Sequence, residues 1–252
     1  MNKQEALFTY CLRLADTSLI HGQRIAEWCG HGPFLEEDLA LTNISLDLVG
    51  RSSALYKYAA EVEGKGRTED DLAFFRNERE FYNLLISELP KGDFAYTISR
   101  AFLMSAFEYL FYSELLNSKD QTLAGIAAKS IKEISYHLRH TSSWMERLGD
   151  GTEESNKRLQ NAVNDQFRFT GEMFEMDGLD ELMVKEGIGA DTKAILPKWE
   201  KMIDETFAKS NITKPQNVVM QTGSRKGLHT ENLGYILAIM QSLPRAYPNA
   251  KW

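Results

Sequence analysis

Glu133 and His137 lie four residues apart in Lys132-Glu133-Ile134-Ser135-Tyr136-His137-Leu138-Arg139-His140, inside a long helical pattern. A carboxylate and an imidazole one turn apart can reach the same metal ion. Carboxylate-bridged di-iron bundles take Glu-x-x-His from each of two helices and a lone Glu from each of two others. The spacing here is one residue too long, because the residue three before His137 is Ile134. The other long helical patterns offer Asp16, Asp47 and Glu108. Three residues after Asp47, where an imidazole belongs, stands Gly50. Of the five histidines, only His137 and His140 fall on the helices that supply such a motif.

Two readings follow. Asp16, Asp47, Glu108, Glu133 and His137 form a variant site in a stand-alone ferritin-like metalloprotein, or they belong to a metal-free polar core. Buried carboxylates without a metal must be paired or protonated. Arg51, Arg100, Lys132, Tyr136 and Arg139 are the expected partners. The shortage of histidines favours the polar core.

A second candidate is the loop Gly223-Ser224-Arg225-Lys226-Gly227-Leu228-His229-Thr230-Glu231. Cations between glycines ahead of a helix N-terminus suit an anion such as a phosphate. Arg225, Lys226 and His229 are the expected contacts. The alternative is that the loop only docks the last helix, with Thr230 as its cap. Cys29-Gly30-His31 reads as a helix end and turn, not a nucleophile pair, because no orienting acid is evident. No Gly-x-Ser-x-Gly elbow occurs.

The elements that must position these residues are helical. Apolar residues recur at helical spacing over about 3–28, 36–63, 94–116 and 121–148. On the second, Leu39, Ile44, Leu48, Ser52, Leu55 and Ala59 are the expected buried face, and Gly64 is the expected C-cap. Residues 68–90 read as a shorter aromatic-rich region across the bundle. A fifth helix spans about 152–174, residues 177–189 form a turn-rich excursion, and Pro197 imposes a kink or late start on the next helix. Pro244 ends the last helix. The aromatics Phe74–Phe75 and Phe107–Tyr112 are core residues or a partner surface. No alternating strand pattern competes. The expected fold is all-α, a ferritin-like four-helix bundle with additional C-terminal helices in one domain over 1–252: a core at about 3–148 and extra helices at about 152–243.

Composition agrees with a globular chain. The 252 residues are 43% hydrophobic and 26% charged, with a net charge of −7. That balance argues against a nucleic-acid platform. No apolar run reaches membrane-spanning length, and the N-terminus lacks a signal-peptide plan. Cys11 and Cys29 are expected to be buried thiols in a reducing cytoplasm.

Several stretches together carry a resemblance. They are Gln23 to Pro33 (QRIAEWCGHGP), Glu37 to Ile44, Leu46 to Gly50, Lys132 to Arg139, Arg147 to Thr152, Thr222-Gly223 and Lys226 to Glu231. In this order, across essentially the whole chain, they resemble the C subunits of bacterial phenylacetyl-CoA epoxidases, the ring 1,2-phenylacetyl-CoA monooxygenases. The resemblance implies a ferritin-like fold and a cytoplasmic complex that epoxidises the ring of phenylacetyl-CoA in aerobic phenylacetate catabolism. It implies a related A subunit that holds the di-iron centre, a small bridging B subunit and a reductase that delivers electrons from NADPH. The C subunit itself is implied to be a structural partner without cofactor or metal. No catalytic residue is carried over. A contact of Arg225, Lys226 and His229 with the phosphates of acyl-CoA near the subunit interface is an expectation from the loop's chemistry alone. A general helical interaction protein, unconnected with oxygenation, is the remaining alternative.

Overall fold

The computed structural model describes residues 2–248 and 250, and within them the chain is all-α. It divides into two compact units. One comprises residues 1–90 and 223–252, the other 91–222. The chain crosses between them after Pro90 and again before Gly223.

The first unit is built on two long antiparallel helices, α1 (Lys3–Ala26) and α2 (Leu35–Glu63). Asn2 and Glu5 form a reciprocal cap that starts α1. Gly64 ends α2 at a φ of 68°, a left-handed conformation that a side chain disfavours. Small residues bring the two helices close. Ser45 donates to the Gly22 carbonyl and Ser52 to the Ala15 carbonyl, each at 3.0 Å. Both pairs are seven residues apart in opposite senses along the helices, which fixes the antiparallel register.

Short elements then cross this pair: α3 (Glu69–Phe74), a 3-10 turn at Glu78–Glu80 and α4 (Leu85–Glu88). The chain returns to the unit through a 3-10 turn at Ser224–Lys226. The last two helices are α10 (Glu231–Met240) and α11 (Ser242–Ala246). Leu233, Ile236 and Leu237 of α10 pack with Ile20 and Phe81. Pro244 lies within α11, in the first turn, where the missing N–H has no intrahelical partner to lose.

The second unit has its own antiparallel pair, α5 (Phe94–Leu115) and α6 (Gln121–Gly149). Phe94 at the start of α5 meets Trp144 near the end of α6, ring centroids 5.0 Å apart. Helices α7 (Glu153–Gln166), α8 (Gly178–Lys185) and α9 (Thr192–Lys209) follow. The expected fifth helix stops at Gln166 and continues as two 3-10 turns. The expected excursion at 177–189 contains α8, started by a reciprocal Asp177–Asp180 cap. Helix α9 begins at Thr192 and runs through Pro197. Trp199 of α9 donates from its indole to the Leu103 carbonyl at 3.3 Å. The Phe167 and Phe174 rings pack on the same indole. Gly149 ends α6 against Ser210, and a Cβ there would stand 1.9 Å from the Ser210 carbonyl oxygen.

Two expectations are corrected by burial. Leu39 is 55% exposed, because α2 presents it on the side away from α1. Cys11 is buried, but Cys29 is exposed, since it lies in the turn after α1. Phe107, Phe111 and Tyr112 are core residues, while Phe75 is exposed.

Candidate functional site

Asp16 sits in the middle of α1 with 0% exposure. Its neighbours are supplied by the short crossing elements. Thr68 starts α3 with a reciprocal cap to Asp71, and Phe75 is its C-cap. The next residue, Arg76, folds back so that its Nε donates to the Leu72 carbonyl at 2.5 Å, satisfying a terminal carbonyl of α3. Its guanidinium then reaches Asp16. Nη1 donates to Asp16 Oδ2 at 3.1 Å and to the Glu80 carbonyl at 2.7 Å. Nη2 donates to Asp16 Oδ1 and, at 3.1 Å, to the Tyr56 hydroxyl. All five guanidinium N–H groups are thus used.

The carboxylate is equally saturated. Oδ1 accepts from Arg76 and from the Tyr56 hydroxyl at 2.5 Å; Oδ2 accepts from Arg76 and from the Tyr82 backbone N–H at 2.8 Å. A carboxylate has about four lone-pair positions, and here each has a donor. Burial opposes charge on Arg76, but the Asp16 carboxylate overcomes it and raises the guanidinium pKa. Burial, reinforced by Asp16, pushes the Tyr56 phenol well above its usual range. The Phe81 ring covers the guanidinium, 4.2 Å from ring centroid to Cζ. Gln241 and Arg245, from the C-terminal helices, donate to the Arg76 carbonyl at 3.0 and 2.8 Å.

The remaining positions of the supposed metal set are distributed differently. Asp47 is half-buried and Gly50 exposed on α2. Gly50 is therefore not a gap in the buried face of α2; beyond its neighbours and the backbone of α2 itself, nothing lies within 4 Å of the place its Cβ would take. On α6 the buried stripe runs Leu123, Ala127, Ser130, Ile134, His137, Thr141 and Met145. Ile134 is a fully buried member of that stripe and Glu133 stands half-buried beside it. Glu108 is buried on α5. Among the described residues, no group of three or more His, Cys, Asp or Glu is arranged to hold a metal ion. Within each unit the ligand pattern of a di-iron bundle is interrupted: the α1 carboxylate is saturated by an arginine, and on α6 apolar Ile134 occupies the buried stripe where Glu-x-x-His needs a ligand.

The expected cationic partners also fall elsewhere. Arg51 donates to the Ser18 hydroxyl at 3.0 Å. Lys132, Tyr136 and Arg139 are exposed, and the Arg139 guanidinium stacks over the Tyr136 ring. Arg100 is fully buried on α5. The residues that do pair with Asp16, Arg76 by charge and Tyr56 by its hydroxyl, are not singled out by the sequence. The available signal was local: an arginine directly after a capped short helix.

The loop before α10 is held by a second buried carboxylate. Glu88 and the His229 side chain both have 0% exposure. His229 Nδ1 lies 3.0 Å from Glu88 Oε2, and Nε2 lies 2.9 Å from the Phe81 carbonyl oxygen. Thr230 N–H donates to Glu88 Oε1 at 2.5 Å, and the Asn83 amide donates to Oε2 at 3.0 Å. Arg24 donates twice to the Glu88 carbonyl. Gly227 adopts a φ of 68°, and a Cβ there would stand 2.2 Å from the Arg79 carbonyl oxygen. The loop is therefore pressed onto the crossing segment. His229 has no nitrogen left for an anion, whereas Arg225 is half-buried and Lys226 exposed.

At Cys29-Gly30-His31, the His31 ring nitrogen Nδ1 lies 3.0 Å from the Cys29 carbonyl oxygen, so the contact is with backbone. The turn instead serves Asp38, whose carboxyl pKa is lowered by the N–H groups of Gly32, Gly30 and His31. No helix among the described residues is long and apolar enough to cross a membrane.

Comparison with known proteins adds a relationship to this geometry. The model of the phenylacetic acid catabolic protein family matches residues 1–252. The chain is also 46% identical over 246 residues to the C subunit of the 1,2-phenylacetyl-CoA epoxidase of Escherichia coli (strain K12). That alignment covers 98% of this chain and 99% of the relative.

Proposed function

The chain belongs to the family of phenylacetic acid catabolic proteins, and on that premise we propose that it is the C-type subunit of a phenylacetyl-CoA epoxidase. The observation that carries this reading is the end-to-end likeness to the Escherichia coli epoxidase chain. In this role it is a structural, non-catalytic member of a cytoplasmic monooxygenase complex. The di-iron chemistry belongs to a sister A subunit, and a small B subunit and an NADPH-fed reductase complete the assembly. The saturated Asp16 supports the non-catalytic part: displacing Arg76 to admit a cation would leave a buried guanidinium unpaired, at a cost of several kcal/mol. Contact with the phosphates of acyl-CoA, where this chain makes any, falls to Arg225 and Lys226.

The test is metal analysis of the purified chain, alone and coexpressed with the other epoxidase subunits, together with phenylacetyl-CoA epoxidation by each preparation. The expected result is no stoichiometric iron on the isolated chain, co-purification with a di-iron partner, and activity only in the complex. Stoichiometric iron on the isolated chain overturns the non-catalytic assignment. Failure to associate with the other subunits overturns the subunit assignment.

A further inference from the structure

Glu88 and His229 meet where the chain returns to the first unit, and neither side chain is exposed. The neighbours of this contact fix its proton count. A carbonyl oxygen has no proton to give, so His229 Nε2, 2.9 Å from the Phe81 carbonyl oxygen, is the donor there. Nδ1 lies 3.0 Å from Glu88 Oε2, and the same oxygen accepts from the Asn83 amide. Oε1 accepts from the Thr230 N–H. Both oxygens thus take donors, as those of an ionised carboxylate do. A bare Nδ1 would turn its lone pair on that carboxylate and leave a net negative charge inside the protein. A proton on Nδ1 makes the ring an imidazolium and the pair neutral. Burial alone favours the uncharged imidazole, but a carboxylate at hydrogen-bond distance outweighs it, because the alternative is an uncompensated buried anion.

The charged groups of the neighbouring elements do not replace His229 at the Glu88 carboxylate. Arg24 of α1 donates to the Glu88 backbone carbonyl and forms its ion pair with Glu27. Arg76 lies over the Phe81 ring and is paired with Asp16. His21 is buried on α1, one turn before Arg24. Glu78, Arg79 and Glu80 of the crossing segment, Lys226 of the loop and Glu231 of α10 are exposed, and Arg225 is half-buried. The apolar contacts of α10, which are Leu233, Ile236 and Leu237 on Ile20 and Phe81, carry no titratable group. The Glu88–His229 pair is therefore the point at which pH reaches the docking of α10.

We propose that Glu88 and His229 form a proton-held latch: His229 is an imidazolium while the loop is docked, and loss of that proton at alkaline pH loosens the returning segment, Gly223 through α10, from the rest of its unit. An imidazole in water gives up its second proton at about pH 6.5. The docked ring keeps it to higher pH, so undocking releases one proton. The latch is at full strength below about pH 6.5. It weakens about tenfold in the docking equilibrium per pH unit above that, until the docked ring itself loses the proton. The apolar contacts of α10 do not change with pH, so the segment loosens rather than unfolds. The latch stands independently of the subunit reading.

The test uses the full-length chain. Nitrogen NMR of the His229 ring at about pH 8, above the ordinary imidazole range, is expected to show both ring nitrogens protonated. Amide hydrogen exchange, expressed as protection factors so that the intrinsic pH dependence is removed, is expected to show protection in α10 falling about tenfold per pH unit above about pH 6.5, while α1 and α2 keep theirs. His229→Gln is expected to make α10 protection independent of pH over the same range. A neutral ring at that pH in the wild-type chain overturns the latch, as does wild-type α10 protection that does not change with pH. The wild-type slope persisting in folded His229→Gln assigns the proton to another group, such as His21, and also overturns it. If His229→Gln does not fold, ring protonation and the wild-type slope decide by themselves.

Discussion

Asp16 and Glu88 are buried carboxylates of the same unit, partnered in different ways. Asp16 meets a guanidinium, which stays charged at any ordinary pH and fills the carboxylate's remaining positions together with Tyr56 and Tyr82. Glu88 meets an imidazole, an asparagine amide and a backbone N–H. The first joins α1 and α2 to the crossing segment, so it holds the middle of the helix pair. The second joins that segment to the loop before α10, so it holds the return of the chain. A permanent cation stands where the long helices meet, and a titratable ring stands where the C-terminal segment docks. Two kinds of perturbation should therefore have different reach.

The largest effect is expected at the first carboxylate. Arg76→Met leaves Asp16 buried against Tyr56 and Tyr82 without its cation. Removing one partner of a buried ion pair typically costs about 3–5 kcal/mol. Urea unfolding of the isolated chain should show that loss, and Asp16→Asn combined with Arg76→Met should recover much of it. If the double variant is as unstable as Arg76→Met alone, packing around the guanidinium, including the Phe81 ring, matters more than the charge. The contrast between the two carboxylates would then be one of volume.

This pair also shows where the sequence is legible. The long helices and their caps follow from local rules: the Asn2–Glu5 box, the Gly64 cap and the short 116–120 connection act between neighbouring residues. The identity of the Asp16 partner does not, because Arg76 lies 60 residues away in an irregular segment with no period to read. Helical spacing also marks apolar rows without saying which of them is buried. Ile44 and Leu48 lie inside and Leu39 outside, although all three fit a helical pattern. Likewise, the spacing of Asp47 and Gly50 looks like a damaged ligand pair until their exposure is known. His229 looked available because a histidine beside two cations and glycines resembles an anion loop. Only tertiary structure shows Glu88 and Phe81 on either side of its ring.

The second carboxylate should give a smaller and more local loss. His229→Ala leaves Glu88 with Asn83 and the Thr230 N–H, and removal of a buried hydrogen-bonding partner costs about 1–3 kcal/mol. Amide hydrogen exchange should accelerate in α10 while α1 and α2 change little. Equal acceleration in all three helices would mean that the two carboxylates belong to one cooperative unit, contrary to their different reach.

Tyr56 tests the first site by pH. Its phenol pKa is raised in the folded chain by burial first and by Asp16 second. Above about pH 10, the unfolded chain loses this proton while the folded chain retains it. Stability from this group is thus fully present below about pH 10 and falls as pH rises beyond it, at about 1.4 kcal/mol per pH unit for one proton. Tyr56→Phe should be somewhat less stable at neutral pH and should lose about one proton from the alkaline slope. An unchanged slope would show that the hydroxyl ionises while still inside the network.

The smallest expected effect concerns the loop that the second carboxylate anchors. With His229 committed to Glu88, acyl-CoA phosphates can be met only by Arg225 and Lys226 of this segment. An exposed ion pair contributes about 0.2–1 kcal/mol, so Arg225→Ala with Lys226→Ala should weaken acyl-CoA binding by the complex only a few-fold, more at low salt than at high salt. Titration of the assembled epoxidase with phenylacetyl-CoA at two ionic strengths distinguishes the cases. A salt-sensitive loss places the loop near the phosphates and gives the Glu88–His229 anchor a second purpose, holding two cations in position. Unchanged affinity at both salt concentrations restricts the loop to fastening α10. The difference between the carboxylates is then one of architecture alone: one fixes the helix pair, and the other closes the chain back upon it.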